Sequence, residues 1–189
     1  MIGVEAAYLM SQDRILGYRE IQQNQAWTMD KSVEHTIIEE MKGYFGDELV
    51  SVVLFGSQAR GTAHEHSDID LVVIAEGVPE DWRQQDKIIG KLRMSPRLIR
   101  FPISIILKSP DVVKASLDTV QPLLFGILKS YKVLYDPKNF FEAQAEIYRE
   151  HMREWDVQEV DDHVWRVGII AEDAKKRANS ASILSGGKN

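Results

Sequence analysis

The chain has 189 residues, no cysteine, and 29 acidic against 23 basic residues, for a formal net charge of −6. That length buries a core unaided, the lack of cysteine excludes a disulfide framework and fits a reducing cytosol, and the charge makes an extended nucleic acid an unlikely partner by bulk attraction. No basic leader followed by an apolar block opens the chain, and no run approaches the ~20 apolar residues of a membrane helix. A cytoplasmic protein without a membrane partner is expected.

Residues 1–32 carry only scattered apolar positions (Val4, Ala7, Tyr8, Ile15) and read as an N-terminal arm. Val33, Ile37, Met41 and Tyr44 then recur at helical spacing, between a cap at Asp30 or Ser32 and a stop at Gly46. His35 on this helix is expected to be solvated or packed. Residues 49–55 are almost continuously apolar, as in a strand covered on both faces. The chain breaks at Gly56-Ser57, crosses a small polar loop and re-enters an apolar strand over 68–75. Trp82, Gln85, Ile88, Ile89 and Leu92 describe a helix over 79–93 with a polar outer face. Arg93, Arg97 and Arg100 follow; such a cluster is most simply a solvated connection, with a phosphate or partner contact left open.

A third strand is expected over 102–107. Ser109-Pro110 has the look of a helix start, with serine at the cap and proline in the first turn. A helix over 121–129 and a closing strand over 131–135 lead to a turn at Asp136-Pro137. Beyond it Phe141, Ala145, Tyr148, Met152 and Trp155 step by four and three, and Val160, Val164, Val167, Ala171 and Ala174 repeat the pattern after a phase break. This predicts a helical pair or one bent helix, its stripe packed on the core or on a partner. The whole is an α/β (α+β) fold: a small mixed sheet with helices mainly on one face over 33–136, a helical extension over 137–180 and a flexible tail over 181–189.

The chemistry concentrates between residues 54 and 74. Side chains alternate along a strand, so Asp68 and Asp70 project on one side while Ile69 and Leu71 enter the core. Two like charges this close repel unless a cation lies between them, and carboxylate oxygens suit Mg²⁺. Gly56 lets backbone approach a ligand, and Ser57 offers a hydroxyl and an N–H to a phosphate oxygen. Arg60 can fork onto phosphate or hold the loop by pairing with a carboxylate. His64, Glu65 and His66 invite a zinc reading, but a structural site wants four ligands and there is no cysteine, so a solvated loop is the simpler expectation.

Gly56-Ser57, ten residues, then Asp68-Ile69-Asp70 resembles the signature of the nucleotidyltransferase superfamily that includes DNA polymerase beta and the kanamycin nucleotidyltransferases. The fuller form, Gly56-Ser57-Gln58-Ala59-Arg60-Gly61 with Ser67-Asp68-Ile69-Asp70-Leu71, most resembles its minimal nucleotidyltransferase group. The resemblance implies transfer of a nucleoside monophosphate from a nucleoside triphosphate to an acceptor hydroxyl. Asp68 and Asp70 would be catalytic and hold Mg²⁺ (or Mn²⁺), and Gly56, Ser57 and Arg60 would bind nucleotide. A closing Leu134-Tyr135-Asp136 is also similar to the end of the family's core. The chain departs from the pattern in its third strand, where the superfamily places a third carboxylate and this sequence has Ser104. Serine is a poor proton acceptor at neutral pH, so binding is expected to survive and acceptor activation is in question. Small members of the group also resemble one half of toxin–antitoxin pairs, which leaves open a catalytically weak, nucleotide-binding antitoxin that acts on a separate helical toxin, or a homodimer.

Overall fold

The computed structural model describes residues 29–161 and 164–169; residues 1–28 of the expected 1–32 arm and the expected 181–189 tail lie outside them, and Lys31 and Ser32 belong to the first helix. Helix α1 (Lys31–Phe45) begins where the Asp30 carboxylate accepts the Ser32 N–H, and it ends at Gly46, whose positive φ of 57° a side chain would resist. Strand β1 (Leu49–Phe55) follows. A single helical turn, α2 (Gly56–Arg60), links it across the 61–68 loop to β2 (Ile69–Ala75). Helix α3 (Trp82–Arg93), capped by Asp81, crosses to β3 (Ile103–Lys108). Helix α4 (Pro110–Ser116) starts as the sequence suggests, with the Ser109 hydroxyl accepting the Val112 N–H and proline in the first turn. Helix α5 (Pro122–Lys129), strand β4 (Lys132–Tyr135) and helix α6 (Phe140–Glu154) complete the main layer structure.

The sheet order is β3-β2-β1-β4. β1 pairs antiparallel with β2 and β4, whereas β2 and β3 are parallel, joined by the α3 crossover. The sheet is therefore mixed, as expected. Alternation along β2 sends Ile69, Leu71 and Val73 to one face, against Ile37, Met41 and Leu92 of α1 and α3. It sends Val72 and Ile74 to the other, against Ile127 of α5 and Phe141 and Ala145 of α6.

Two expectations need correction. Helices cover both faces rather than mainly one, because α5 and α6 supply the apolar stripes that bury Val53, Val72 and Ile74. The helix after Asp136 is thus a wall of the same core and not an appendage. Moreover, as far as Val167 the second apolar stripe is no helix: β5 (Val157–Asp161) and β6 (Val164–Val167) form an antiparallel hairpin, and the expected Ala171 and Ala174 lie outside the described residues. Val160, Val164 and Val167 step by three and four, but β-branched residues at that spacing also suit two short strands. Val160 and Val164 are exposed, while Trp165 packs edge-on to Phe125 with ring centres 5.5 Å apart. A Lys129–Glu159 ion pair of 2.6 Å ties the hairpin to α5.

The first stripe is packed on the core. Phe141 and Tyr148 are buried, and the Tyr148 hydroxyl donates to the Thr119 carbonyl and accepts the Gln121 N–H. Where β4 ends, Asp136 fixes α6: its carboxylate accepts from the Ser51 hydroxyl at 2.8 Å and from the N–H groups of Phe140, Phe141 and Glu142.

Candidate active site

The site is built at the end of the sheet where β1 finishes and β2 and β3 begin. Phe55 pairs with Asp70 across the antiparallel ladder, and Asp70 pairs with Ser104 across the parallel one. Asp70 is the second residue of β2. Its alternation places it on the face of Val72 while Ile69 and Leu71 are buried on the other. Asp68, two residues earlier, is exposed at the strand's mouth.

Gly56 brings these parts into contact. Its φ of +73° is one that L side chains rarely adopt, and a Cβ placed there would sit 3.1 Å from the Asp70 Cγ and closer still to Oδ2. Only glycine gives the carboxylate this seat against the backbone. The α2 turn then closes on itself, with the N–H of Thr62 donating to the Ser57 carbonyl at 3.0 Å and Gly61 taking a left-handed φ of 70°. The Ser67 hydroxyl accepts the His64 N–H at 2.9 Å and so shapes the approach to Asp68.

Burial pushes the Asp70 carboxyl above its ordinary value, the neighbouring Asp68 charge pushes it further, and Arg60 pulls it back. No hydrogen bond is among the influences on it. Asp68, Asp70 and Arg60 are thus close enough to feel one another, with Ser104 next to Asp70 on the adjacent strand. Ser57 is half-buried on the same turn. His64, Glu65 and His66 are all exposed on the loop. Asp111 and Glu76 lie beyond the far ends of β3 and β2, away from the position of Ser104. Glu76 is six residues past Asp70, about 20 Å at strand rise, and Asp111 pairs with Lys114 on α4.

The residues present fit a divalent cation. Two neighbouring carboxylates, with no hydrogen-bond donor given to Asp70 among the described residues, are a hard oxygen donor set. Among the described residues no group of three or more His, Cys, Asp or Glu gathers as a complete ligand cage. The protein offers two ligands, and substrate phosphates and water would complete the shell, which is how Mg²⁺ is commonly held.

Two contributors were not legible in the sequence. Gln58 is 6 % exposed, and neither its amide nitrogen nor its oxygen has a hydrogen-bond partner among the described residues. The Ser130 hydroxyl donates to the Ala59 carbonyl at 3.1 Å, bracing α2 from a residue 71 positions away. No local pattern signals a brace at that separation.

The structure thus gathers, where β1 meets β2 and β3, the Gly-Ser turn and the aspartates by which the sequence resembles the nucleotidyltransferases. Comparison with known proteins agrees. The nucleotidyltransferase domain model matches residues 35–123. A Methanocaldococcus jannaschii protein, provisionally named protein adenylyltransferase MJ1305, is 39% identical over 125 residues, covering 62% of this chain and 82% of that relative. This chain belongs to the nucleotidyltransferase domain family. Among solved structures, the MNT antitoxin in complex with a tri-AMPylated HEPN toxin from Shewanella oneidensis aligns at 19% identity and a TM-score of 0.44, over 68% of this chain and 93% of the other. A nucleotidyltransferase from Sulfolobus solfataricus aligns at 22% identity and a TM-score of 0.40, over 63% and 86%.

Proposed function

We propose that this chain transfers a nucleoside monophosphate, with ATP as the first candidate donor, to a hydroxyl on an acceptor protein. The observation that carries the reading is the Asp70 carboxylate, pressed on Gly56, neighboured by the Asp68 charge and given no hydrogen-bond donor among the described residues. Such a group is costly in the metal-free fold and useful only to a cation and the phosphates it brings. The similarity to a relative named for protein adenylylation supports protein as the acceptor.

In this reading Asp68 and Asp70 hold Mg²⁺, or Mn²⁺ in its place, and the ion supplies charge neutralisation and alignment of the phosphates. The hydroxyl of Ser57 and the backbone of Gly56 hold terminal phosphate oxygens, and Arg60 offers a guanidinium to the same group. The acceptor oxygen bonds to the α-phosphorus as the bond from that phosphorus to the bridging oxygen breaks, and pyrophosphate leaves with the electron pair. The acceptor's proton must go elsewhere. Ser104, in register beside Asp70, can orient a hydroxyl but is no base at neutral pH.

That serine favours a second reading, a nucleotide-binding module that transfers slowly and acts by holding a separate helical protein such as a toxin. One assay tests both. With α-labelled ATP, Mg²⁺ and a lysate, the wild-type chain is expected to label protein, and chelator is expected to abolish it. Ser104→Asp should raise labelling by about 10² to 10⁴, the usual worth of a general base. Labelling that persists in chelator contradicts the first reading. Fast wild-type transfer that Ser104→Asp slows contradicts the second.

A further inference from the structure

The segment 82–100 carries six cations, Arg83, Lys87, Lys91, Arg93, Arg97 and Arg100, against the single carboxylate of Asp86. It is a net +5 island in a chain of −6, so the remainder stands at −11. Arg83, Lys87 and Lys91 recur every fourth residue and form one row along α3, about 6 Å apart at helical rise. All six cations are exposed. Among the described residues only Arg97 joins an ion pair, a loose one to Glu40 at 3.9 Å.

Interleaved with this charge are apolar side chains that the core does not use. Trp82 is 65 % exposed with Arg83 stacked over its ring at 4.8 Å, Met94 is 68 % exposed and Ile99 55 %. The surface runs along α3, on the face of the sheet opposite Asp70, and through the 94–101 loop to the edge where β2 and β3 begin. The Pro102 carbonyl accepts the N–H of Ile69, the residue between Asp68 and Asp70, at 2.7 Å.

We infer that α3 and the 94–101 loop dock the acceptor protein by an acidic face bearing exposed apolar groups, and so hold it beside the strand mouth at which Asp68 and Asp70 stand. The inference rests on the transfer reading above for the word acceptor, but the surface stands on its own geometry. Exposed tryptophan, methionine and arginine are the residues that protein interfaces concentrate. Met94 and Ile99 have nothing to gain from a phosphate backbone, and a polymer reaching past the island would meet the −11 remainder. A folded partner's acidic face has an edge and need not extend there.

The probe is a fluorescein-labelled amphipathic peptide of about twenty residues, glutamate-rich with leucines on one face, the helix-in-groove form of such a partner. Its binding to the full chain is read by anisotropy without metal or nucleotide, beside its glutamine counterpart and an oligouridylate. The acidic peptide should bind, the neutral one should not, and the oligouridylate should bind more weakly. The variant Lys87→Glu, Lys91→Glu, Arg93→Glu should weaken peptide binding about tenfold or more, as the loss of three exposed pairs implies, and keep metal-dependent ATP binding. Were that variant to misfold, the wild-type affinity should still fall as salt is raised. Tighter binding of the oligouridylate, no binding of the acidic peptide, or an affinity indifferent to the variant or to salt would overturn the inference. A chain that transfers nothing would still bind the peptide, and a transferase that docks elsewhere would label protein and ignore it.

Discussion

Asp136 and Asp70 flank opposite ends of β1. Asp136 accepts four hydrogen bonds, from the Ser51 hydroxyl and three N–H groups at the start of α6. Asp70, opposite Phe55, faces Asp68 and the bare backbone of Gly56. One carboxylate is answered by the fold and the other is left for something the fold does not contain. In the transfer reading proposed above, the difference separates a residue that holds the sheet to its helix from one that meets a ligand.

The strongest way to break this comparison is to fill the seat. Gly56→Ala would strain a backbone at φ +73° and drive Asp70 from its place. We expect transfer to fall about a hundredfold, the scale of a one-ångström misplacement, and stability to fall by ~1–3 kcal/mol. Activity close to wild type with an unchanged urea midpoint would mean that the close approach is not required.

Asp136→Ala should do the reverse. It orphans the Ser51 hydroxyl and the α6 cap together, and we expect a loss of about 2–4 kcal/mol in urea denaturation. Metal-dependent ATP affinity per folded molecule should not change, since the site lies at the other end of the strand.

The smallest effect sharpens the contrast most. Asp70 has its carboxyl raised in the folded state, so between its unfolded and folded pKa values the native chain binds more protons than the unfolded one. Metal-free stability therefore falls as pH rises through that window. Asp70→Asn, which has no charge to bury, should flatten this part of the profile and raise the metal-free melting point slightly at neutral pH. A variant that melts earlier than wild type there would show that the Asp70 charge stabilises the fold after all.

Much of this was legible because the local signals agree. The caps at Asp30 and Ser109, the apolar run of β1 and the alternation around Asp68 and Asp70 all point to the elements observed. Ser104 was singled out by the family resemblance rather than by its strand pattern, and the ladder pairs it with Asp70. What failed was non-local or ambiguous in period. Val160, Val164 and Val167 suit a helix and a hairpin equally, and only the packing of Trp165 on Phe125 decides. The second helical face of the sheet depends on where α6 lands, which its own amphipathic stripe does not say. The buried amide of Gln58 and the brace from Ser130 arise from contacts across the fold and leave no spacing to read. The basic segment was visible as arginines, but its exposure and its end beside Ile69 were not.

In the transfer reading, Asp70 meets no hydrogen-bond donor among the described residues because it and Asp68 take a metal-bound nucleotide. Calorimetric titration of ATP into the wild-type chain and Asp70→Asn, each with Mg²⁺ and again with chelator, tests it most directly. The account predicts binding only for wild type with Mg²⁺. Equal ATP affinity in chelator, or in Asp70→Asn, would contradict it.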